Sequence, residues 1–315
     1  MSPAPAFRPG PRHLALVGPT ASGKSALALE LARRHPDVEL VTVDSMQVYR
    51  GMDIGTATPT PEEQAEVRHH LLDVCDPSDD YTVARYQRDC LAVLADIEGR
   101  GKRAVLVGGT GLYLQAVTDA LDIPGRFPEV RAELEAEPDD RALYSRLESL
   151  DPAAADRIDP GNRRRIVRAL EVTLGSGRPF SSYGPGLDAH PPSPFPVVAL
   201  AIERPVLDER IARRYQAQLA AGFVAEVEAL LARPAGLSRT ARQALGYAEL
   251  LDHLEHGTPL DEAIEHAVLR TRRFARRQQR WFGRDPRVTW VPVEPPAAGG
   301  VDRNALAHLD GMLGD

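Results

Sequence analysis

Eight residues near the start of the chain have the types and spacing of a phosphate-binding loop. They read GPTASGKS and fit the pattern G-x-x-x-x-G-K-[ST], with an apolar strand predicted before them (Leu14–Val17) and an amphipathic helix after them. In that setting backbone N–H groups, the helix N-terminus and Lys24 bind phosphate oxygens, and the hydroxyl of Ser25 can ligate Mg²⁺. The sequence therefore predicts a diphosphate or triphosphate site formed by Gly18, Pro19, Thr20, Ala21, Ser22, Gly23, Lys24 and Ser25.

Two further predicted strands end in residues that can do chemistry. The apolar run from Val38 to Val43 is followed by Asp44, and a run from Arg103 ends in the glycine loop Gly108 to Gly111, which contains Thr110. Fully apolar strands are typical of a parallel sheet, and functional residues gather at the carboxyl ends of such strands. The phosphate loop, Asp44 and Thr110 are therefore expected to border one crevice.

Asp44 allows three interpretations. It can help to hold Mg²⁺ through water, act as a general base towards an incoming nucleophile, or cap the next turn. Ser45 and Gln47 supply hydrogen-bonding groups beside it, and glutamine suits a bidentate contact with adenine. The hydroxyl of Thr110 can contact an acceptor or the diphosphate.

The composition is that of an ordinary globular protein of 315 residues, 43% of them hydrophobic and 26% charged. Two cysteines give neither a disulfide framework nor a metal-ligand pattern, and this favours a reducing, cytoplasmic setting. His69 and His70 have no further His or Cys close by and are interpreted as polar groups of the crevice or of caps. No apolar run has the length of a membrane span, so no membrane association is expected.

The pattern of elements predicts an α/β fold, with a P-loop parallel-sheet core and an all-helical insertion domain. The insertion shows helical periodicity, broken at Pro and Gly, without a strand candidate. After it we expect a strand at 195–202, a long helix softened near Gly222, two more helices and a short strand at 287–293. The predicted divisions are a disordered lead (1–11), the first part of the core (12–121), the insertion (122–194), the second part of the core with C-terminal helices (195–293) and a weakly structured tail (294–315).

Arginines are concentrated in two segments of a chain whose net charge is −7. Residues 270–287 contain eight arginines and one acidic residue, and residues 161–178 contain five arginines and one acidic residue. Arg272, Arg276 and Arg280 recur at i, i+4 and i+8 along one face of a predicted helix. Such segments let an acidic protein bind a polyanion, although a solvated charged face is the simpler alternative. The other helix face carries Phe274, Gln278 and Trp281 at core-like spacing.

Taken together, the motifs resemble the tRNA dimethylallyltransferases of the bacterial type, also called tRNA isopentenyltransferases. The matching segments follow the order of that family, from about Leu14 to Trp281: GPTASGKS, DSMQVYRGMDIGTAT, HHLLD, GGTGLYL, NRRRIVRALEV, GFVAEV, ALGYAEL and TRRFARRQQRW. The resemblance implies transfer of a dimethylallyl group from dimethylallyl diphosphate to N6 of adenosine 37, just 3′ of a tRNA anticodon. It also implies Mg²⁺ as the cofactor and the tRNA anticodon stem-loop as the partner. We expect a monomer.

The same resemblance implies roles for individual residues. Asp44 would accept the N6 proton, Thr20 would lie near the reacting centre, and Ser25 would face Mg²⁺. The implied catalytic group is Asp44, Thr20, Thr110 and an arginine that helps the leaving diphosphate, Arg214 or Arg210. The residues expected to contact tRNA are Asp44, Ser45, Met46, Gln47, Thr110, Arg131, Arg164, Arg165, Ile166, Val167, Arg168, Gln243, Gly246, Tyr247, Arg276, Arg277, Gln278 and Arg280.

Two positions depart from the family pattern, and two other functions fit part of it. Thr58 stands where a lysine is usual and Ala248 where a basic residue is usual, so each removes a possible phosphate contact. A small-molecule kinase would place ATP in the loop and use Asp44 to activate a hydroxyl, but it gives no role to the arginine-rich segments. A non-catalytic RNA-binding module would use a bound nucleotide as a switch.

Overall fold

A six-stranded parallel sheet lies at the centre of the computed structural model, which describes residues 13–294 and 300–314. The strand order is β3-β2-β4-β1-β5-β6, and every neighbouring pair is parallel. This confirms the predicted α/β class with a parallel-sheet core. The expected disordered lead at 1–11 lies outside the described residues. The strands are β1 (Leu14–Val17), β2 (Val38–Val43), β3 (His69–His70), β4 (Arg103–Gly108), β5 (Val197–Ala201) and β6 (Val288–Pro292).

The chain divides into two compact units, a sheet unit up to Thr118 and again from Pro192, and a helical unit at 119–191. The sequence placed the insertion at 122–194. The sheet unit begins with α1 (Lys24–Arg34), α2 (Pro61–Glu66), α3 (Val83–Gly99) and α4 (Gly111–Thr118). The helical unit holds α5 (Pro128–Ala136), α6 (Asp140–Leu150), α7 (Pro152–Ala155), α8 (Arg163–Ser176) and a 3-10 turn (Phe180–Tyr183). The sheet unit then continues with α9 (Arg204–Ala220), α10 (Phe223–Leu231), α11 (Arg239–Arg242), α12 (Tyr247–His256), α13 (Leu260–Phe282) and α14 (Arg303–Gly314).

Alternate side chains of the central strands enter two different cores. On β1, Leu14 and Leu16 pack with α1 and α14, whereas Ala15 and Val17 pack on the opposite face of the sheet. Burial on both faces favours apolar residues along a strand, which is why β1 is an uninterrupted apolar run. β2 is also buried along its whole length but contains Thr42 and Glu39, and the Glu39 carboxylate is paired with His70, Arg100 and Lys102. The predicted strands of the sheet are confirmed on this physical ground.

Strand β3 was missed by the sequence prediction because it is two residues long and polar. His70 hydrogen-bonds through Nε2 to Glu39 Oε2 at 2.7 Å, and Arg100 and Lys102 bind the same carboxylate. These partners hold the pKa of the Glu39 carboxyl well below its usual value, with the hydrogen bond from Arg100 contributing most. His70 therefore belongs to a charged cluster at the β3 edge of the sheet, whereas His69 hydrogen-bonds through Nδ1 to the backbone oxygen of Val67. Within residues 13–294 and 300–314, no group of three or more His, Cys, Asp or Glu could hold a metal ion.

The C-terminal segment is a helix, so the expectation of a weakly structured tail at 294–315 is wrong for α14. Ala305, Leu306, Leu309 and Leu313 are buried against the sheet face that α1 also covers. Their spacing follows one side of a helix, so the signal was present in the sequence. Residues 295–299 and 315 lie outside the described part of the chain.

The long helix predicted after β5 is interrupted where the sequence placed its weak point. α9 ends at Ala220, and Gly222 precedes α10 with φ at 96°, a backbone conformation that favours glycine. The break redirects the chain, so that α9 and α10 both bring side chains to the loop that begins at Asp53.

The helical unit has its own apolar core. Helix α8 contributes Ile166, Val167 and Leu170, which are buried against residues of α5, α6 and α7. All of residues 119–191 are described, and they contain no strand, in line with the all-helical class predicted for the insertion. No helix in the described part of the chain combines the length and the apolar character needed to cross a membrane.

Candidate active site

The phosphate loop connects β1 to α1 in the geometry that the motif requires. Gly18 and Gly23 have φ of 140° and 97°, and Gly23 caps α1. Lys24 is buried and donates through Nζ to the backbone oxygen of Pro19 at 2.9 Å, while the side chain of Ser25 is exposed on the first turn. The buried hydroxyl of Ser22 has no hydrogen-bond partner within the described residues. A buried polar atom in that state is a group that a phosphate oxygen could satisfy.

The ends of β2 and β4 meet beside this loop and bring four predicted site residues together. Asp44 accepts a hydrogen bond from the backbone N–H of Met46 at 2.8 Å, which fixes one carboxylate oxygen. Thr110 Oγ1 accepts from the backbone N–H of Ser45 at 3.1 Å. A Cβ on Gly108 would lie 2.0 Å from the backbone oxygen of Val43, so only glycine allows the two strand ends to approach this closely.

Two arginines of α9 reach the phosphate loop from the other side. Arg214 donates to Thr20 Oγ1 at 3.0 Å and to the backbone oxygen of Gly55 at 3.1 Å. Arg210 donates to the backbone oxygen of Ser22 at 3.3 Å. Burial lowers the pKa of both guanidinium groups, and the charge of Asp44 acts in the opposite direction on Arg214 alone. Because Arg214 touches the Thr20 side chain and lies in the field of Asp44, we infer that it is the arginine nearer to the reacting atoms.

Gln278 on α13 joins two loops of the site. Its Oε1 accepts from the backbone N–H of Thr20 at 2.8 Å, and its Nε2 donates to the backbone oxygen of Gly109 at 2.9 Å. The side chain is 6% exposed and each end of its amide makes a hydrogen bond within the protein, so the contact with tRNA stays a prediction. Trp281 packs against Gly111, in keeping with the interpretation of this helix face as packing. Gln278 therefore sets the position of the phosphate loop.

The other residues of the sheet unit that are predicted to contact tRNA differ in how deeply they are buried. Gly246 and Tyr247 are buried, and the Tyr247 hydroxyl donates to Glu226 Oε1 at 2.6 Å. Gln243 is exposed. Met46 packs on the edge of the core, and Gln47 donates to the backbone oxygens of residues 56 and 57, so its amide N–H₂ already has partners in this conformation.

A cationic groove runs along the solvent side of α13. It has a volume of about 750 Å³ and contains no acidic side chain in its lining. The arginines that α13 contributes to it form no ion pair within the described residues, so their charges are available to a ligand. Besides Gln279, the lining residues are Arg204, Arg273, Arg276, Arg277 and Arg280.

The residues of the helical unit that are predicted to contact tRNA fall into three groups: ion-paired, exposed and buried. Arg131 and Arg168 form ion pairs with the buried Glu171, which ties α5 to α8. The side chains of Arg164 and Arg165 are exposed and have no ion-pair partner in residues 13–294 and 300–314. Ile166 and Val167 are buried in the core of the unit, so a contact through their side chains is excluded in this conformation.

Burial lowers the pKa of the Lys24 ammonium to about 8, and this predicts a pH dependence of diphosphate binding. Lys24 is charged below that pH and loses its proton above it, whereas a bound diphosphate favours the charged form. Affinity for inorganic diphosphate with Mg²⁺ is therefore expected to fall as pH rises above about 8, with proton uptake on binding at pH 9. Calorimetry in two buffers of different ionisation enthalpy measures that uptake. The variant Lys24→Met is the control, and equal uptake by both proteins would contradict the assignment.

The fold and the site define a protein of the P-loop α/β class, because the phosphate loop follows the first strand of a parallel sheet at its carboxyl edge. The family model described as IPP transferase matches residues 47–285. A tRNA dimethylallyltransferase from Nocardioides sp. is 48% identical over 99% of this chain and 100% of its own length. One from Kineococcus radiotolerans is 51% identical over 89% of this chain and 90% of its own length. The chain belongs to the tRNA dimethylallyltransferase family.

Solved structures agree with this assignment. The crystal structure of a tRNA isopentenylpyrophosphate transferase from Bacillus halodurans matches with a TM-score of 0.69 and 36% identity, covering 97% of this chain and 96% of that one. A eukaryotic dimethylallyltransferase, whose structure was determined while acting on tRNA, matches with a TM-score of 0.73 and 25% identity, covering 89% of this chain and 73% of that one.

Proposed function

We propose that this chain transfers a dimethylallyl group from dimethylallyl diphosphate to N6 of adenosine 37, just 3′ of the tRNA anticodon. In this reaction the C–O bond to the diphosphate breaks, a C–N bond forms, and the N6 proton leaves. The observation that carries the proposal is the convergence of Asp44, the Thr20–Arg214 pair and Thr110 at the carboxyl edge of one sheet, next to the phosphate loop.

Asp44 is proposed to accept the N6 proton. Its Oδ1 is fixed by the N–H of Met46, and its location after β2 places a carboxylate at the edge of the crevice. An exocyclic amine becomes an adequate nucleophile only when a positioned base removes its proton during the reaction. An adenosine inside an anticodon loop has to be unstacked to reach such a base.

The leaving diphosphate is proposed to be stabilised by the loop N–H groups, Lys24 and Arg214. Preorganised donors of this kind lower the barrier because they meet charge that develops as the C–O bond breaks. Thr20 is held on both sides, through its N–H by Gln278 and through its hydroxyl by Arg214. These two contacts fix the position of Thr20 in the loop.

The residues present suit Mg²⁺. The Ser25 hydroxyl is exposed on the first turn of α1 and makes no hydrogen bond within the described residues, and Asp44 supplies a carboxylate that can act through water. Oxygen donors of this type, with open positions for water and phosphate oxygens, are what Mg²⁺ prefers. When bound, the ion would neutralise charge on the diphosphate.

The tRNA backbone is proposed to bind two sets of arginines. One set is the groove face of α13, where Arg276, Arg277 and Arg280 are free of acidic partners in the described chain, and the other is Arg164 and Arg165 of the helical unit. Contacts with phosphates fix the register of an RNA without reading its sequence. We further propose a monomer in the cytoplasm, where the buried free thiols Cys75 and Cys90 would stay reduced.

The test is incubation of the purified chain with labelled dimethylallyl diphosphate, Mg²⁺ and unmodified tRNA. Label is expected in tRNA that carries adenosine at position 37, and none in the same transcript with guanosine there. A parallel reaction with labelled ATP and candidate metabolites tests the kinase alternative. Phosphorylated product without label transfer would overturn the proposal, and tRNA binding without any product would favour the non-catalytic module.

A further inference from the structure

The turn from Asp53 to Gly55 is held by one carboxylate that lies 171 to 173 residues further along the chain. Glu226 on α10 accepts from the backbone N–H of Asp53 at 2.9 Å, of Ile54 at 2.7 Å and of Gly55 at 3.2 Å. The Tyr247 hydroxyl adds a fourth donor at 2.6 Å. A carboxylate that collects three consecutive N–H groups fixes the orientation of the peptide units to which they belong.

The opposite side of the same turn is held by α9. Gln218 donates through Nε2 to the backbone oxygens of Ile54 at 2.6 Å and of Gly55 at 2.9 Å, and Arg214 donates to the oxygen of Gly55 at 3.1 Å. The peptide unit between Ile54 and Gly55 is therefore fixed at both ends, by Glu226 on its N–H and by Gln218 on its carbonyl.

Packing removes the remaining freedom of the turn. A Cβ on Gly55 would lie 2.4 Å from atoms of the Phe223 and Tyr247 rings, so the backbone rests directly on these side chains. Arg214 and Gln218 are one helical turn apart on α9 and both point at the turn, which makes the turn and the helix one contact surface.

We propose that Glu226 is a positioning residue for the reaction, because it fixes the three peptide units that lead to the carbonyl of Gly55, on which Arg214 is anchored. Arg214 has two anchors, Gly55 O and Thr20 Oγ1, and the second belongs to the phosphate loop. An amide in place of the carboxylate puts an N–H₂ donor against donors of the turn or of Tyr247, so the turn shifts and Arg214 keeps only Thr20. The diphosphate then departs past a guanidinium that is no longer held in place. The inference rests on the proposed function for its kinetic readout.

The first experiment compares Glu226→Gln with Glu228→Gln, an exposed residue of the same helix whose side chain makes no hydrogen bond or ion pair within the described residues. Misplacing a catalytic group by about 1 Å can cost about 100-fold, so Glu226→Gln is expected to lower kcat by about 10- to 100-fold. The KM for tRNA and all constants of Glu228→Gln are expected to stay within about twofold of the unchanged protein. A lower melting temperature of Glu226→Gln with an unchanged kcat would overturn the proposal.

The second experiment places Glu226→Gln in an Arg214→Ala background. If Glu226 acts through Arg214, its substitution costs little once Arg214 is gone, so the two losses are strongly non-additive. Independent losses that multiply would overturn the proposal. If Glu226→Gln does not fold, Gln218→Met removes the donor at the carbonyl side of the turn with similar volume and is expected to show the same non-additivity.

The unchanged protein, Glu226→Gln, Arg214→Ala and the double variant are also titrated with inorganic diphosphate and Mg²⁺ in a calorimeter. This measurement needs no prenyl transfer, and the loss of affinity in Glu226→Gln is expected to disappear in the Arg214→Ala background. If the unchanged protein transfers no label to tRNA while this coupling is observed, the proposed function fails and the positioning role stands. If transfer is observed and the coupling is absent in both measurements, the positioning role fails alone.

Discussion

Replacement of Asp44 by Asn is expected to lower kcat for prenyl transfer by about 10²- to 10⁴-fold, the usual size of a general-base effect. The amide keeps the shape of the side chain and can still accept the hydrogen bond from Met46, so the turn after β2 is preserved. Only the ability to take up the N6 proton is lost. Single-turnover transfer with saturating tRNA and dimethylallyl diphosphate measures this rate.

Two controls separate the three interpretations of Asp44. The affinity for tRNA, measured by filter binding, is expected to change less than about threefold, and a large loss would assign Asp44 to recognition instead. Titration with Mg²⁺ distinguishes the base from a metal-holding group, because a weakened metal site recovers at high Mg²⁺ and a missing base does not. An unchanged rate would leave Asp44 as a capping residue.

Replacement of Arg214 by Ala is expected to lower kcat by about 10²- to 10³-fold, which is the cost of removing one preorganised donor from developing charge. Arg210→Ala is the matched control, since Arg210 lies one turn earlier on the same helix and contacts only a backbone oxygen of the loop. Its loss is expected to stay below about tenfold. The ratio of the two kcat values measures how much more the contact of Arg214 contributes to the reaction rate than the contact of Arg210.

If Arg210→Ala lowered kcat more than Arg214→Ala, the reaction would be assigned to the part of the phosphate loop near Ser22 rather than near Thr20. A fall in tRNA affinity of Arg214→Ala without a fall in single-turnover rate would place Arg214 on the RNA rather than on the diphosphate. Tm measurements accompany both variants, because Arg214 also anchors the turn at Gly55 and its loss can loosen that turn.

Local pattern was enough to predict the strands that carry the site. β1, β2 and β4 are predicted from mainly apolar runs because both faces of a parallel sheet are buried, and the glycine loops after β1 and β4 mark the carboxyl edge. β3 could not be predicted because two polar residues form no periodic pattern, and only their pairing with β2 identifies them as a strand. α14 escaped for a different reason, since its apolar spacing was present but short and close to the chain end.

The contacts that assemble the site could not be predicted in the same way. Gln278 and Thr20 are 258 residues apart, and nothing local to either residue indicates that an amide bonds a loop N–H. Helical periodicity placed Gln278 on the core face of α13 correctly, whereas the resemblance suggested contact with tRNA. In the sequence, Glu226 is only one residue of the segment GFVAEV. Its contacts with the turn at Asp53 form in the tertiary fold, and no spacing in the sequence predicts them.

Helix α13 is one continuous rod of 23 residues with arginines on its solvent side and Gln278 on its inner side. A shift of one residue in its register would turn the arginine side, which we propose binds RNA, away from its present direction and remove the amide from the phosphate loop at the same time. The proposed contacts with RNA and the position of the phosphate loop therefore both depend on the register of α13. Redesign of the donor pocket therefore has to treat α9 and α13 together, because Arg214 of α9 hydrogen-bonds to Thr20, whose backbone N–H is held by Gln278 of α13.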